Sequence, residues 1–416
     1  MYQAARGTTD ILPAEQPYWR YVEKAIAEIT RLYGYQRIDT PVFEDTTLFR
    51  RSAGDYTDIV QKEMYTFDDR GGNSLTLKPE GTPAVCRAYI QHGMQNLPQP
   101  VKLFYISPIF RYDRPQAGRY RQHYQFGCEA IGEGDPALDA EVIDMAWLFY
   151  KSLGLSRLSL QLNSIGCKVC RPGYLAALKE YYAGFGNLCD DCKTRIEKNP
   201  LRLLDCKQTS CQSIAQNAPH GTARLCPDCA AHFSQLQKYL ELMDIPFSLN
   251  HRLVRGLDYY TRTVFEVQPE EEGGQSTIGG GGRYDDLIEE LGGKPAPAIG
   301  FATGIERIIL NLKKHGIGVP ETPGPQALIA SMGDKGREAA LKLAASLRRE
   351  GISAVCALGE KSLKAQLRQA NALKARFTLI IGEDEVKAGS VTLRDMAGAS
   401  QETVTLSALA EKLKSK

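Results

Sequence analysis

Arg255, Gly256, Asp258, Tyr259 and Tyr260 crowd a cation, an acid and two phenols around one glycine in LVRGLDYYTRTVFEV, residues 253–267. The alternation in TVFEV predicts that this stretch runs as a strand. A guanidinium and two phenols beside a glycine predict a backbone pressed close to a polar ligand. Asp258 either orients Arg255 or pairs elsewhere. A second group lies on two predicted strands within residues 103–132. On the second of them Gln125, Gly127 and Glu129 alternate, so they share one face. Two polar groups on one sheet face suit a polar small molecule better than a core. The connecting loop carries Arg114, Arg119 and Arg121 against Asp113, with Arg111 beside it. Guanidinium forks bind phosphate oxygens bidentately, so the hairpin suits a polyphosphate; a solvated charged hairpin is the alternative.

Further candidates sit at junctions. In LKPEGTP, Glu80 is placed to accept from an amine, and Gly81 and Thr82 open a helix with Thr82 as N-cap and Pro83 at its first position. Gly279 to Gly282 run consecutively, which suits either a backbone approaching a ligand or a flexible turn. They lack the Lys-Ser/Thr of a phosphate-binding P-loop. Arg307 falls in the first turn of a helix in GFATGIERI.

Eight of the eleven cysteines lie between residues 167 and 229. They read C-x2-C-x18-C-x2-C, then C-x4-C-x14-C-x2-C. Cys167, Cys170, Cys189 and Cys192 fit a tetrahedral Zn²⁺ site, and Cys206, Cys211, Cys226 and Cys229 fit a second, unless the pairs are shared out differently. Four sulfurs close the shell, so such an ion would be structural. Free thiols and disulfides are the alternatives.

The elements that must position these groups are legible in outline. Val22, Ile26, Ile29 and Tyr33 recur at helical spacing over residues 16–33, and Gly34 ends the helix. Pro41 in the extended YQRIDTPVFED favours an edge or an interface. The cysteine-rich stretch, about residues 165–245, reads as an insertion. GIGVPETPGP, residues 316–325, is a linker. Beyond it QALIASMG, SAVCAL, FTLIIG and VTLRDM alternate with helical stretches, which predicts a small α/β domain over 325–416. That region carries 15 Lys and Arg against 10 Asp and Glu, and Lys361, Lys364 and Arg368 recur on one helix face. The whole chain of 416 residues has a net charge of only +2, with 43% apolar and 24% charged residues, as in a soluble globular protein. Neither a signal-peptide core nor a bilayer-length apolar run is found, so the expected compartment is the cytoplasm, where thiols stay reduced.

Together these segments resemble the histidyl-tRNA synthetase family of class II aminoacyl-tRNA synthetases. The first helix and the Pro41 segment look like motif 1, FYISPIFRYDRPQAGRYRQHYQFGCE like motif 2, and GFATGIERIIL like motif 3. LVRGLDYYTRTVFE and GGGGRYDDL are similar to the family's histidine-specific segments. QANALKARF departs from the family's usual Ala-Asp-Lys-type segment. The resemblance implies an α+β class II catalytic core over residues 1–320, an antiparallel sheet flanked by helices, with the Cys-rich insertion and a C-terminal anticodon-binding domain. It implies ATP as a substrate with Mg²⁺, L-histidine and tRNA(His) as partners, no membrane, and a homodimer through motif 1. Glu80, Gly81 and Thr82 would hold the α-amino group of histidine, Gln125 and Glu129 would orient it, and Tyr259 and Tyr260 would line the imidazole pocket. Arg111, Arg119, Arg121, Glu129 and Arg307 would serve ATP. Arg255 would stabilise charge at the α-phosphate, with no side-chain nucleophile. Arg114, Gln116, Lys361, Lys364 and Arg368 would touch tRNA. Two rival readings are a regulatory paralogue serving histidine biosynthesis, which generally lacks the anticodon domain and the active-site arginines, and a zinc-ribbon nucleic-acid binder.

Overall fold

The helical spacing of Val22, Ile26 and Ile29 produces helix Gln16–Leu32, with Trp19 and those three side chains buried. Its chain turns out at Gly34, whose φ of +72° is strained for any residue with a Cβ. The computed structural model describes residues 2–54, 56–114, 118–270, 277–398 and 400–415. The chain divides into two units, Met1–Pro320 and Glu321–Lys416.

The first unit is built on β1 (Gln36–Arg37), β2 (Phe43–Asp45), β3 (Tyr65–Asp68), β4 (Ser74–Leu77), β5 (Val101–Phe110), β6 (Gln122–Ile131), β7 (Leu158–Ser164), β8 (Phe247–Leu249), β9 (Thr261–Pro269), β10 (Gly279–Arg283) and β11 (Ala298–Gly304). An eight-stranded sheet runs β1-β5-β6-β11-β10-β9-β7-β8, and β2-β4-β3 form a small separate sheet. The large sheet is mixed, a correction to the expected antiparallel one: its edge pairs, β1 with β5 and β7 with β8, are parallel. Parallel neighbours need a crossover, which the long helical insertion between β7 and β8 supplies. Pro41 stands between β1 and β2 rather than inside a strand, because it has no N–H for a ladder.

One face of the sheet is dry. Helices Gln16–Leu32, Pro136–Ser152 and Pro227–Leu242 cover it with Trp19, Ile26, Ile143, Phe149 and Leu236, meeting Phe126, Phe265 and Phe301. Phe126 lies edge-on to Phe149 at 5.1 Å and to Phe301 at 5.6 Å. Within that core the Asp139 carboxylate, wholly buried, binds Arg283, Thr263 (2.6 Å) and His232 (2.9 Å). Burial pushes the Asp139 carboxyl up, but Arg283 and His232 more than offset it and hold it below its ordinary value.

The insertion consists of helices Arg171–Ala183, Asp190–Lys198 and Thr209–Gln216 with two 3-10 turns, around buried Leu178, Tyr182, Leu203 and Ile214. In the second unit β12 (Ala327–Ser331), β13 (Ala354–Cys356), β14 (Phe377–Ile381), β15 (Ser390–Asp395) and β16 (Gln401–Thr405) form a sheet ordered β13-β12-β14-β15-β16. The sequence reading missed β16, an edge strand with Val404 its one buried residue. Among the described residues no helix is long and apolar enough to cross a membrane.

Candidate functional site

The face of the sheet opposite the core forms a chamber of about 140 Å³. Its polar lining is Glu80, Thr82, Gln125, Glu129, Tyr259 and Tyr260, with Arg111 and Arg255 at its mouth, together with Tyr105 and Tyr284, which the sequence reading did not single out. Glycines opposite large side chains make the room. Gly127 is the cross-strand partner of Tyr105, and a Cβ there would lie 2.3 Å from the ring; one at Gly81 would lie 2.2 Å from it. Gly300 faces Glu129 in the same way, at 2.0 Å.

Two carboxyl groups meet in this small volume. Glu129 accepts from Thr82 Oγ1 (2.6 Å) and Tyr284 Oη (2.5 Å), and Glu80 Oε2 accepts from Tyr259 Oη (2.8 Å). Glu80 Oε1 is buried with no hydrogen-bond partner. Burial pushes Glu80 up to about 7 and Glu129 up to about 8, with each other's charge adding to the rise at Glu129. The chamber is therefore built to receive a cation. Thr82 corrects the expectation of an N-cap: Gly81 is the N-cap of helix Thr82–Gln91, and the Thr82 hydroxyl is spent on Glu129.

The chamber opens past Arg111, Gln125 and Arg255 into a cleft of about 620 Å³. Arg111 and Arg307 line it, and among the described residues neither has an ion-pair partner; they bond the carbonyls of Pro79 (2.7 Å) and of Thr277 (2.5 Å). His123 stands near both. Burial first, then these two cations, push its pKa down to about 3, so it stays neutral. Arg255 is fixed differently, by an ion pair with Glu266, whose other oxygen accepts from Thr277 at 2.8 Å. Gly279 and Gly280 bring strand backbone to the cleft wall, so the glycine run is a sheet strand and not a turn.

Several sequence expectations are corrected here. Residues 253–260 are irregular and the strand begins at Thr261. A strand would point Tyr259 and Tyr260 to opposite faces, whereas both line the chamber with ring centroids 4.7 Å apart. Of the two roles open to Asp258 in the sequence, it takes the second and pairs elsewhere, accepting from Asn199 of the insertion at 2.7 Å. Arg119 lines the cleft, but Arg121 lies 3.7 Å over the Tyr112 ring and Arg114 is exposed, so neither is among the lining residues. Gln116 lies outside the described residues. In the second unit, Lys361 precedes helix Leu363–Ala372, whose N-cap is Ser362, while Lys364 and Arg368 are exposed on the helix itself.

The cysteines regroup. Cys167 and Cys170 meet Cys226 and Cys229, while Cys189 and Cys192 meet Cys206 and Cys211, the sulfurs in each set within 4.8 Å of one another. Blocks contiguous in sequence are thus not the spatial sets, because the insertion folds back so that its ends close on each other.

The family model described as Histidyl-tRNA synthetase matches residues 7–168 and 204–308. The chain belongs to this family. A model described as Anticodon binding domain matches residues 326–416. A histidine–tRNA ligase of Dehalococcoides mccartyi is 62% identical over 410 residues, 98% of each chain. One from Pelotomaculum thermopropionicum is 51% identical over 412 residues, 99% of this chain and 97% of the relative. The crystal structure of apo S. aureus histidyl-tRNA synthetase, 39% identical, aligns over 100% of both chains with a TM-score of 0.84. These likenesses favour the synthetase over both rival readings.

The raised carboxyls of this family member give a pH signature. With Glu129 at about 8 against an ordinary 4.5, the folded chain keeps a proton that the unfolded chain has released, so stability declines as pH rises through that window. Glu129→Gln removes the titration. Ligand-free variant and wild type should be similarly stable near about pH 5, and the variant should gain on the order of a few kcal/mol relative to wild type by about pH 9. Thermal unfolding across that range measures it. Parallel curves would mean that Glu129 titrates normally.

Proposed function

We propose that this chain activates L-histidine with ATP to histidyl-adenylate and pyrophosphate, and then transfers histidine to the 3′ end of tRNA(His). The observation that carries the reading is the two-part cavity, an acidic chamber joined through Arg255 to a cleft lined by Arg111 and Arg307, which have no ion-pair partner among the described residues. The ammonium of histidine sits at the free oxygen of Glu80, beside Thr82, and ionises that carboxyl on arrival. The imidazole lies by Tyr259 and Tyr260. A chamber whose buried polar groups go unpaired with any other side chain discriminates strongly. Gln125 and Glu129 turn the histidine carboxylate toward the cleft.

ATP enters as its Mg²⁺ complex, with the α-phosphate at Arg111 and the γ-phosphate end at Arg307. A histidine carboxylate oxygen attacks the α-phosphorus, the bond to the bridging oxygen of the β-phosphate breaks, and pyrophosphate leaves. Charge grows on the α-phosphate oxygens, and Arg255, already fixed by Glu266, stabilises it without reorganising. A ribose hydroxyl of the tRNA terminus then attacks the acyl carbon and AMP leaves. The second unit holds the anticodon through Lys361, Lys364 and Arg368, and Arg114 and Gln116 also contact the tRNA. The two cysteine clusters, which take no part in the reaction, hold structural Zn²⁺. The enzyme works in the cytoplasm as a homodimer through helix Gln16–Leu32 and the neighbouring β2, where Leu32, Val42 and Phe43 are exposed.

Three measurements test this. Histidine-dependent ATP–pyrophosphate exchange should be present, and Arg255→Ala should lower its rate roughly 100- to 1000-fold with little change in the histidine KM. Absence of exchange in folded protein refutes the activity, and a change in KM alone refutes the role of Arg255. Joint replacement of Lys361, Lys364 and Arg368 by Ala should weaken tRNA charging while sparing exchange; unchanged charging removes them from the tRNA contact. Sedimentation at micromolar concentration should give twice the chain mass, and an active monomer overturns the dimer.

A further inference from the structure

The cysteine clusters hold more information than the presence of an ion. Residues 169–203, with Cys170, Cys189 and Cys192, fall between the two segments that match the family, while Cys167, Cys206, Cys211, Cys226 and Cys229 lie within them, so each cluster draws ligands from both inside and outside the matched segments. In the outer set, Cys167 Sγ lies 3.8 Å from both Cys170 Sγ and Cys226 Sγ; in the inner set, Cys189 Sγ lies 3.8 Å from Cys206 Sγ. A regular tetrahedron with Zn–S bonds of about 2.3 Å has sulfur–sulfur edges of about 3.8 Å. A disulfide would need about 2.05 Å. Divalent ions that prefer six oxygens are excluded by ligand type, which leaves a soft, tetrahedral ion.

The surroundings fit a thiolate shell. Backbone N–H groups donate to the sulfurs: Cys167 to Cys170 (3.3 Å), Val169 to Cys167 (3.4 Å) and Cys189 to Cys211 (3.4 Å). Cys170, Cys189 and Cys226 are the N-caps of helices Arg171–Ala183, Asp190–Lys198 and Pro227–Leu242, where the helix dipole favours negative charge. Four thiolates around one Zn²⁺ leave a net −2, which these donors and dipoles spread.

We propose that the insertion carries two Zn²⁺ ions in nested sites, an outer one in Cys167, Cys170, Cys226 and Cys229 and an inner one in Cys189, Cys192, Cys206 and Cys211. This rests on the reading that the clusters hold zinc, and adds which cysteines share an ion and what each ion does. The outer ion ties the end of β7 to the start of helix Pro227–Leu242, closing the neck of the insertion. The inner ion braces the segment whose Arg195, Arg202, Asp205 and Lys207 line the cleft opposite Arg111 and Arg255. Both shells are closed, so both ions are structural, and each displaces its thiol protons on binding.

Full-length protein purified without chelator should contain close to two equivalents of zinc. Native mass spectrometry during partial chelation, with pulsed alkylation and peptide mapping, should show the one-zinc species alkylated at one of the two nested sets. Should both ions leave together, double variants decide. Cys167→Ser with Cys226→Ser, and Cys189→Ser with Cys206→Ser, should each retain about one equivalent, whereas Cys167→Ser with Cys189→Ser should retain almost none. Zinc lost in the sequence-contiguous blocks, or wholly lost from every double variant, overturns the nested, independent sites while leaving zinc itself in place. Protein with negligible zinc and all eleven thiols reactive overturns both.

Discussion

A β-strand has two faces, and β6 must satisfy both at once. Phe126, Cys128 and Ala130 seal the core, so Gln125, Gly127 and Glu129 are committed to the other side. A slip of one residue would bury Glu129 in the aromatic core and leave Phe126 in the chamber. The ten-residue pairing with β5 and the seven-residue pairing with β11 hold that register. Everything in the chamber is referenced to it: the glycines that face Tyr105 and Glu129, the Thr82 hydroxyl, and Tyr284 arriving from the end of β10.

That commitment has an energetic consequence. Two carboxyl groups are taken out of water within one small chamber, and the nearby charges of Arg111 and Arg255 offset only part of the burial at Glu80. Hydroxyl donors soften the cost, but the remedy is protonation, which is why both sit near neutrality. Such a site is stabilised by its own occupant. In the cleft beyond, Arg111 and Arg307 donate their hydrogen bonds to carbonyl oxygens. Buried carboxyl groups thus mark one end of the cavity, and Arg111 and Arg307 mark the other. Arg255, the cation between them, is the one locked by a carboxylate.

The insertion belongs to this arrangement rather than being an appendage. Asn199 binds Asp258, Arg202 lies over Gly256, and Arg195 and Arg202 both reach Asp58 at 3.6 Å. The irregular path of residues 253–260, which sends two adjacent tyrosines into one chamber, is held from outside by these contacts. A segment without ladder hydrogen bonds needs such external support to keep one conformation.

The sequence by itself determined the elements whose signal is local: the first helix from the spacing of its apolar residues, β5 and β6 from their alternation, the linker from its prolines and glycines. It also determined the chemistry on offer, since Glu80, Gln125, Glu129, Arg111, Arg255 and Arg307 were legible by type, alternation and resemblance. Tertiary structure alone decided the pairings. Tyr105 and Tyr284 gave no signal because an aromatic residue on a strand reads as core until the glycine across from it is known. Glu266 became the partner of Arg255, and Asp258 that of Asn199, through contacts between segments that spacing along the chain does not encode. The cysteines show the same limit: their spacing named the ligands, but only the return of the chain from β7 to helix Pro227–Leu242 fixed which four meet, since proximity in space is set by closure of the fold and not by distance along the sequence.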